Sequence, residues 1–242
     1  KHTLCLPFND IATCRDILRS RDDIGAVILE PIGANMGVVR GARDFMSMLR
    51  EETARKKIIL IYDEVITGFR VGLQGAQGYY GITPDLTCLG KVIGGGFPAA
   101  AFGGRADLMN HLAPLGEVYQ AGTLSGNPVA MCAGLATLKV LEQPRFYETL
   151  EQNTTRLVKA LREKIPGCVT QVGSMFTPFF GVSEVDSFIT LNQPLYAQFF
   201  KYLFANKIYF VPSPYEANFL SSAHSNEDID HTIDVIRNFS LE

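Results

Sequence analysis

Ile58-Ile59-Leu60-Ile61-Tyr62 is a continuous, β-branched apolar run, entered from Arg55-Lys56-Lys57 and left through Asp63-Glu64. A run this short, with no polar alternation, reads as a parallel strand buried on both faces. Parallel strands need crossover connections, so helices should alternate with strands around it. They do. Residues 11–19 are apolar at helical spacing, and residues 26–29 are a short apolar run that ends in Glu30-Pro31-Ile32-Gly33. Residues 42–55 are again helical in pattern, with Phe45, Met48 and Leu49 on one face. Residues 86–89 and 99–102 supply two further strand candidates. Residues 128–141 predict a helix, with Asn127 as N-cap and Pro128 at the first helical position.

The character changes after Gln143-Pro144. Residues 146–164 form a long amphipathic helical pattern. Strands follow near 170–180, then a helix near 195–206 and a strand at 208–211. The last helix opens with Ser225-x-x-Asp228, a capping-box pattern. The expected fold class is α/β: a mostly parallel sheet flanked by helices over residues 1–144, then a smaller α+β domain over 145–242.

Composition removes several functions. The net charge is −3, so no basic surface for nucleic acid is expected. No apolar run approaches the ~20 residues that span a bilayer. The five cysteines form no C-x-x-C pair, and the four histidines form no H-E-x-x-H. Reduced, buried thiols of a cytoplasmic protein and no metal site are expected. The chain opens Lys1-His2-Thr3-Leu4, without Met or a charged leader, and reads as a cut inside a longer protein.

Three features carry chemistry. Asp63 follows the buried run and so stands at the carboxyl end of a strand, where open α/β sheets bind ligands. On position alone, an Asp that caps a turn or a nearby helix is the readier reading. Lys91 lies between Cys88-Leu89-Gly90 and Val92-Ile93-Gly94-Gly95-Gly96. That setting suggests a desolvated amine able to attack an aldehyde, with glycines that let backbone approach a bulky ligand. A snorkelling lysine beside a Gly-rich turn is the plainer alternative. Gly122-Thr123-Leu124-Ser125-Gly126-Asn127-Pro128 places hydroxyls and N–H groups before a helix, which suits phosphate but also describes a well-capped helix. Together an aldehyde-binding Lys and a carboxylate for a ring nitrogen suggest a pyridoxal cofactor. Residues 94–99 loosely match G-x-G-x-x-A, but the strand-like run after Pro98 excludes a dinucleotide fold.

The ordered set of motifs resembles the class III, fold-type I pyridoxal-phosphate enzymes, and within them the glutamate-1-semialdehyde 2,1-aminomutase family. The resemblance runs through Glu30-Pro31 with Asn35, Asp63-Glu64-Val65 with Thr67-Gly68-Phe69-Arg70, and Pro84-Asp85-Leu86-Thr87-Cys88-Leu89-Gly90-Lys91. It continues through Tyr119-Gln120-Ala121-Gly122-Thr123, Gly173-x-Met175-Phe176, Pro212-Ser213-x-Tyr215-Glu216-Ala217 and Ser222-Ala223-His224-Ser225.

The resemblance implies roles at matching positions. Lys91 would hold pyridoxal 5'-phosphate as a Schiff base and shuttle protons, with Asp63 on the pyridinium nitrogen and Val65 against one ring face. Asn35 would sit near the ring hydroxyl or substrate. Thr123 would reach the cofactor phosphate of a partner subunit, Tyr119 would line that site, and Glu216 would stand near the substrate amines. Without the resemblance, Asn35 reads as a turn residue, Val65 and Tyr119 as core, and Glu216 as a surface acid.

The implied reaction converts glutamate 1-semialdehyde to 5-aminolevulinate for tetrapyrrole synthesis. It would use the pyridoxal and pyridoxamine 5'-phosphate forms in a cytoplasmic homodimer whose cofactor site lies at the subunit interface. The family carries a long region before the equivalent of Lys1. Residues 165–190 are shorter than in many of its members, and Lys207 stands where Gly is common. Two alternatives stay open. One is a class III aminotransferase of the ornithine, acetylornithine or 4-aminobutyrate type. The other is a fragment that is inert without the preceding region.

Overall fold

The computed structural model describes residues 2–189 and 191–240. Lys1, Leu241, Glu242 and Thr190, the end of the 165–190 segment, lie outside the described residues. The chain divides into two compact units, one comprising Lys1–Pro31 with Gly41–Pro144 and the other Ile32–Arg40 with Arg145–Glu242.

The first unit opens with helix α1 (Ile11–Ser20). Its N-cap is Asp10, which accepts from the Thr13 N–H at 3.0 Å. Strand β1 (Ala26–Leu29) leads toward a two-residue ladder, β2 (Ile32–Gly33) with β3 (Val39–Arg40), that belongs to the second unit. Helix α2 (Arg43–Lys56) buries Phe45, Met46, Met48 and Leu49 and stops at Lys57 in the left-handed region. Strand β4 (Ile59–Glu64) follows. Next come α3 (Gly75–Tyr80), β5 (Leu86–Leu89), a 3-10 turn over Lys91–Gly94, β6 (Ala101–Gly104), the short α4 (Ala106–Met109) and α5 (Pro128–Leu141).

The strands are ordered β1-β4-β5-β6. β4 is parallel to β1, pairing Leu60 with Val27, and to β5, pairing Asp63 with Cys88. β6 runs antiparallel to β5. The sheet is thus mainly parallel, as expected.

Its burial differs from the expectation of two covered faces. Along β4, Leu60, Tyr62 and Glu64 are fully buried, whereas Ile59, Ile61 and Asp63 are only half-buried. On β1, Ile28 is 62% exposed. The run is continuous in hydrophobicity, yet only one face is fully covered among the described residues. Asp85 fixes the end of the sheet opposite Asp63. Its carboxylate accepts from the Leu60 N–H at 2.8 Å and pairs with Arg50 at 3.1 Å and Arg105 at 2.9 Å.

The second unit is built on helix α6 (Phe146–Lys164), the hairpin β7 (Gly167–Val172) with β8 (Met175–Phe180), and helices α7 (Gln193–Ala205) and α8 (Asn226–Asn238). Leu157, Leu161, Phe180, Phe199, Leu203 and Ile236 meet in its core. The Ser225–Asp228 capping box is formed. One expected element is absent: residues 208–211 are not a strand. Ile208 and Phe210 are buried around an exposed Tyr209, so the alternation is real. The backbone bonds go elsewhere, however. The Val211 N–H donates to Asn218 Oδ1 at 3.0 Å, and the Val211 carbonyl accepts from Tyr196 Oη at 2.6 Å. The third strand beside β8 is instead β9 (Asn218–Phe219). Residues 32–40 join this unit through Val38, whose N–H donates to Thr177 Oγ1 at 3.1 Å. No local pattern announces so distant an association.

Candidate active site

Asp63 and Lys91 stand at the carboxyl ends of two adjacent parallel strands. Asp63 is the penultimate residue of β4, and Lys91 follows β5 by two residues. Asp63 pairs across the ladder with Cys88, three residues before Lys91. Neighbouring strands lie about 4.8 Å apart, so the topology brings carboxylate and amine to one sheet edge. Asp63 Oδ1 accepts from the Val65 N–H at 3.1 Å. Neither Asp63 nor Lys91 makes an ion pair among the described residues. The thiol of Cys88 is pushed up by burial and by the nearby Asp63 charge.

Val65 lies against Gly90, where a Cβ would approach Val65 Cγ1 to 3.2 Å. Any side chain at Gly90, the residue that precedes Lys91, would press on Val65. Lys91 itself has φ +46°, a left-handed backbone that L residues rarely hold without support. The support comes from α5. At Gly95, with φ +56°, a Cβ would stand 2.6 Å from the Ala133 carbonyl oxygen and 2.6 Å from Thr137 Oγ1. At Gly134, in α5, a Cβ would run into the Ile93 carbonyl oxygen. Backbone packs on backbone here, and the Lys91 turn is locked to the helix. Lys91 is exposed among the described residues rather than desolvated by its apolar neighbours. Those neighbours serve the turn and not the amine.

The segment 119–127 is a loop that feeds α5. Tyr119 is 83% exposed, and Thr123 is also exposed. Asn127 Oδ1 accepts from the N–H groups of Val129 at 3.1 Å and Ala130 at 3.2 Å, so the cap itself occupies two of the first N–H groups of α5.

Asn35 and Glu216 lie in the second unit, and both are exposed. Their segments are joined there. The Gly37 N–H donates to the Tyr215 carbonyl at 2.6 Å, and Thr177 Oγ1 donates to the Glu216 carbonyl at 3.4 Å. Tyr215 stacks on Phe188 with ring centroids 5.5 Å apart, and its hydroxyl accepts from the Leu191 N–H at 3.1 Å.

Two parts of this arrangement escaped the sequence reading. One is the Gly95–Gly134 lock. A glycine inside an otherwise apolar helix costs about 1 kcal/mol, and that cost is itself a signal of close approach. The other is Glu64, buried behind Asp63 beside a cleft of about 520 Å³ that Lys91 does not line. Among the described residues no group of three or more His, Cys, Asp or Glu could hold a metal, and no helix is long and apolar enough to cross a membrane.

Comparison with known proteins gives a consistent result. Residues 7–177 match the family model "Aminotransferase class-III". A glutamate-1-semialdehyde 2,1-aminomutase of Protochlamydia amoebophila (strain UWE25) is 52% identical over the whole of this chain, which spans 59% of that protein's length. Among solved structures, a β-phenylalanine aminotransferase from Variovorax paradoxus superposes with a TM-score of 0.87 at 33% identity, covering 97% of this chain and 56% of that one. A glutamate-1-semialdehyde aminomutase variant from Pseudomonas aeruginosa PAO1, in complex with PMP, gives 0.84 at 26% identity, covering 96% and 55%.

Proposed function

The chain belongs to the class-III aminotransferase family, and from that premise we propose that it is the lysine-bearing part of a pyridoxal-phosphate aminomutase. The reaction we assign is the conversion of glutamate 1-semialdehyde to 5-aminolevulinate, a step toward tetrapyrroles. One observation carries the reading: Asp63 and Lys91 end adjacent parallel strands, and neither is neutralised by an ion pair among the described residues. The aminomutase name of the 52% identical relative supports the choice within the family.

The residues present fit the cofactor. Asp63 offers a half-buried carboxylate, one oxygen of which is held by the Val65 N–H. Lys91 offers an exposed amine on a turn that glycines lock in place. When bound, pyridoxal 5'-phosphate or its pyridoxamine form supplies a ring that accepts electrons from a developing carbanion. Asp63 would keep a proton on the ring nitrogen. Val65 would cover one ring face and exclude water from it. Lys91 Nζ would move the protons of both half-reactions, delivering one to the substrate carbon that receives an amine and taking one from the carbon that gives its amine up. Thr123 would reach the cofactor phosphate of the partner subunit and Tyr119 would line that site, Asn35 would stand near the ring hydroxyl or substrate, and Glu216 near the substrate amines.

We assign the protein to a homodimer, with the cofactor site at the interface. Support comes from α5, which leaves Val129, Met131, Leu135 and Val140 exposed, and from the exposure of Tyr119 and Thr123. The five cysteines are free, and although Cys5 and Cys132 are exposed, against the expectation of buried thiols, unpaired thiols support a cytoplasmic setting.

The Variovorax neighbour favours one alternative, an aminotransferase that passes the amine to a second molecule. The decisive assay supplies the intact, cofactor-loaded protein with glutamate 1-semialdehyde alone, and separately with an amino donor and 2-oxoglutarate. Formation of 5-aminolevulinate without an acceptor supports the aminomutase. Strong net transfer to 2-oxoglutarate with no isomerisation refutes it.

A further inference from the structure

Glu64 directly follows Asp63, so strand alternation sends the two carboxylates to opposite faces of the sheet. Asp63 is half-buried, while Glu64 is 1% exposed. A carboxylate so far withdrawn from water must be met by donors. Here they are all uncharged. Thr67 Oγ1 donates to Glu64 Oε2 at 3.0 Å, and the Ala76 N–H donates to the same oxygen. Glu64 Oε1 receives the Gln77 N–H at 3.3 Å and the Gln77 side-chain amide at 3.1 Å. The same amide reaches Thr87 Oγ1, on β5, at 3.1 Å. At Gly75, φ +57°, any Cβ would collide with this carboxylate.

One side chain therefore grips both ends of the loop 65–75 and, through Gln77, the strand that leads to Lys91. The loop starts with Val65, whose N–H holds Asp63 Oδ1 and whose side chain rests against Gly90.

We propose that Glu64 is a positioning residue for the cofactor site: from the reverse face of β4 it sets where Val65 stands, and so keeps Asp63 and the Gly90–Lys91 turn in register. The proposal rests on the reading of Asp63 and Lys91 as that site.

The test uses the intact protein with Glu64→Ala, Glu64→Gln and, should the first fail to fold, Gln77→Leu. Three quantities are read: the dissociation constant for pyridoxal 5'-phosphate, the pH midpoint of its visible band when bound, and amide hydrogen exchange at Val65 and Gly68 in the cofactor-free protein. For Glu64→Ala we expect cofactor affinity to fall about tenfold, the loss that 1.4 kcal/mol represents, together with a displaced pH midpoint and faster exchange at Val65. Glu64→Gln and Gln77→Leu should move all three in the same direction by less. A lowered melting temperature with affinity within about twofold of wild type and an unmoved pH midpoint overturns the proposal, because a merely structural carboxylate would do just that. A wild-type protein with no visible band overturns the cofactor reading itself, and this proposal with it.

Discussion

Replacing Gly134 by Ala sets two effects of opposite sign against each other. Gly134 lies within helix α5, where Ala is favoured over Gly by about 1 kcal/mol. Were helix propensity all that mattered, the variant would gain that much. The added Cβ would meet the Ile93 carbonyl oxygen, a backbone atom in the Lys91 turn. Restoring van der Waals distance requires a shift on the order of 1 Å. The turn cannot yield cheaply, because Gly95 is itself pressed on the Ala133 carbonyl and Lys91 is held at positive φ. Overpacking of this kind costs about 1–3 kcal/mol, and a rigid backbone obstacle puts Gly134 at the upper part of that range. The net expectation is destabilisation by about 1–2 kcal/mol. Urea unfolding should show a lower midpoint at an unchanged slope. Gly95→Ala should be worse, since it adds strain at φ +56°. A Gly134→Ala protein that is about 1 kcal/mol more stable would refute the claim that α5 locks the Lys91 turn.

Other perturbations have equally definite outcomes. Glu52 is held down to about 2 by hydrogen bonds from Arg19 and Arg55. Its stabilising contribution is therefore present above its unfolded value near 4.5 and fades as pH falls toward 2. Glu52→Gln should flatten the acid side of a melting-temperature profile in that window and leave the neutral-pH slope unaltered. Asp85→Ala strands Arg50 and the Leu60 N–H at the start of the sheet. It should cost about 3 kcal/mol in urea unfolding, near the lower bound for a broken buried pair because Arg105 remains half-exposed. Asn127→Ala removes the cap of α5 and should cost about 1 kcal/mol in the same assay, with faster amide exchange at Val129 and Ala130.

Much of the fold was legible because local signals agreed. The pattern of residues 128–141 and 146–164 marks helices whose observed bounds, Pro128–Leu141 and Phe146–Lys164, coincide with it. Asn127, Pro128 and the Ser225–Asp228 box are local chemistry, readable one turn at a time. Residues 208–211 misled because alternating burial is necessary for a strand and not sufficient. Their hydrogen bonds went to the side chains of Asn218 and Tyr196. The joining of residues 32–40 to the second unit depends on Thr177, which lies 139 positions from Val38. No window can register that.

At the site, Asp63 and Lys91 could be found because each follows an apolar strand, and parallel pairing then makes them neighbours. The exposure of Lys91 could not be read from its apolar flanks. The turn packs backbone to backbone on α5 at Gly95 and Gly134, while Lys91 itself is exposed. Glu64 was hidden by its neighbour. Its partners Ala76 and Gln77 are 12 and 13 residues away and come close only after the loop has folded back.

The central claim is that Lys91 carries the cofactor. It can be tested by incubating the intact protein with pyridoxal 5'-phosphate, reducing it with borohydride, digesting it, and locating the added mass by peptide sequencing. The predicted result is a single reduced adduct on Lys91 that vanishes in Lys91→Ala. An adduct on any other lysine, or none at saturating cofactor, would contradict it.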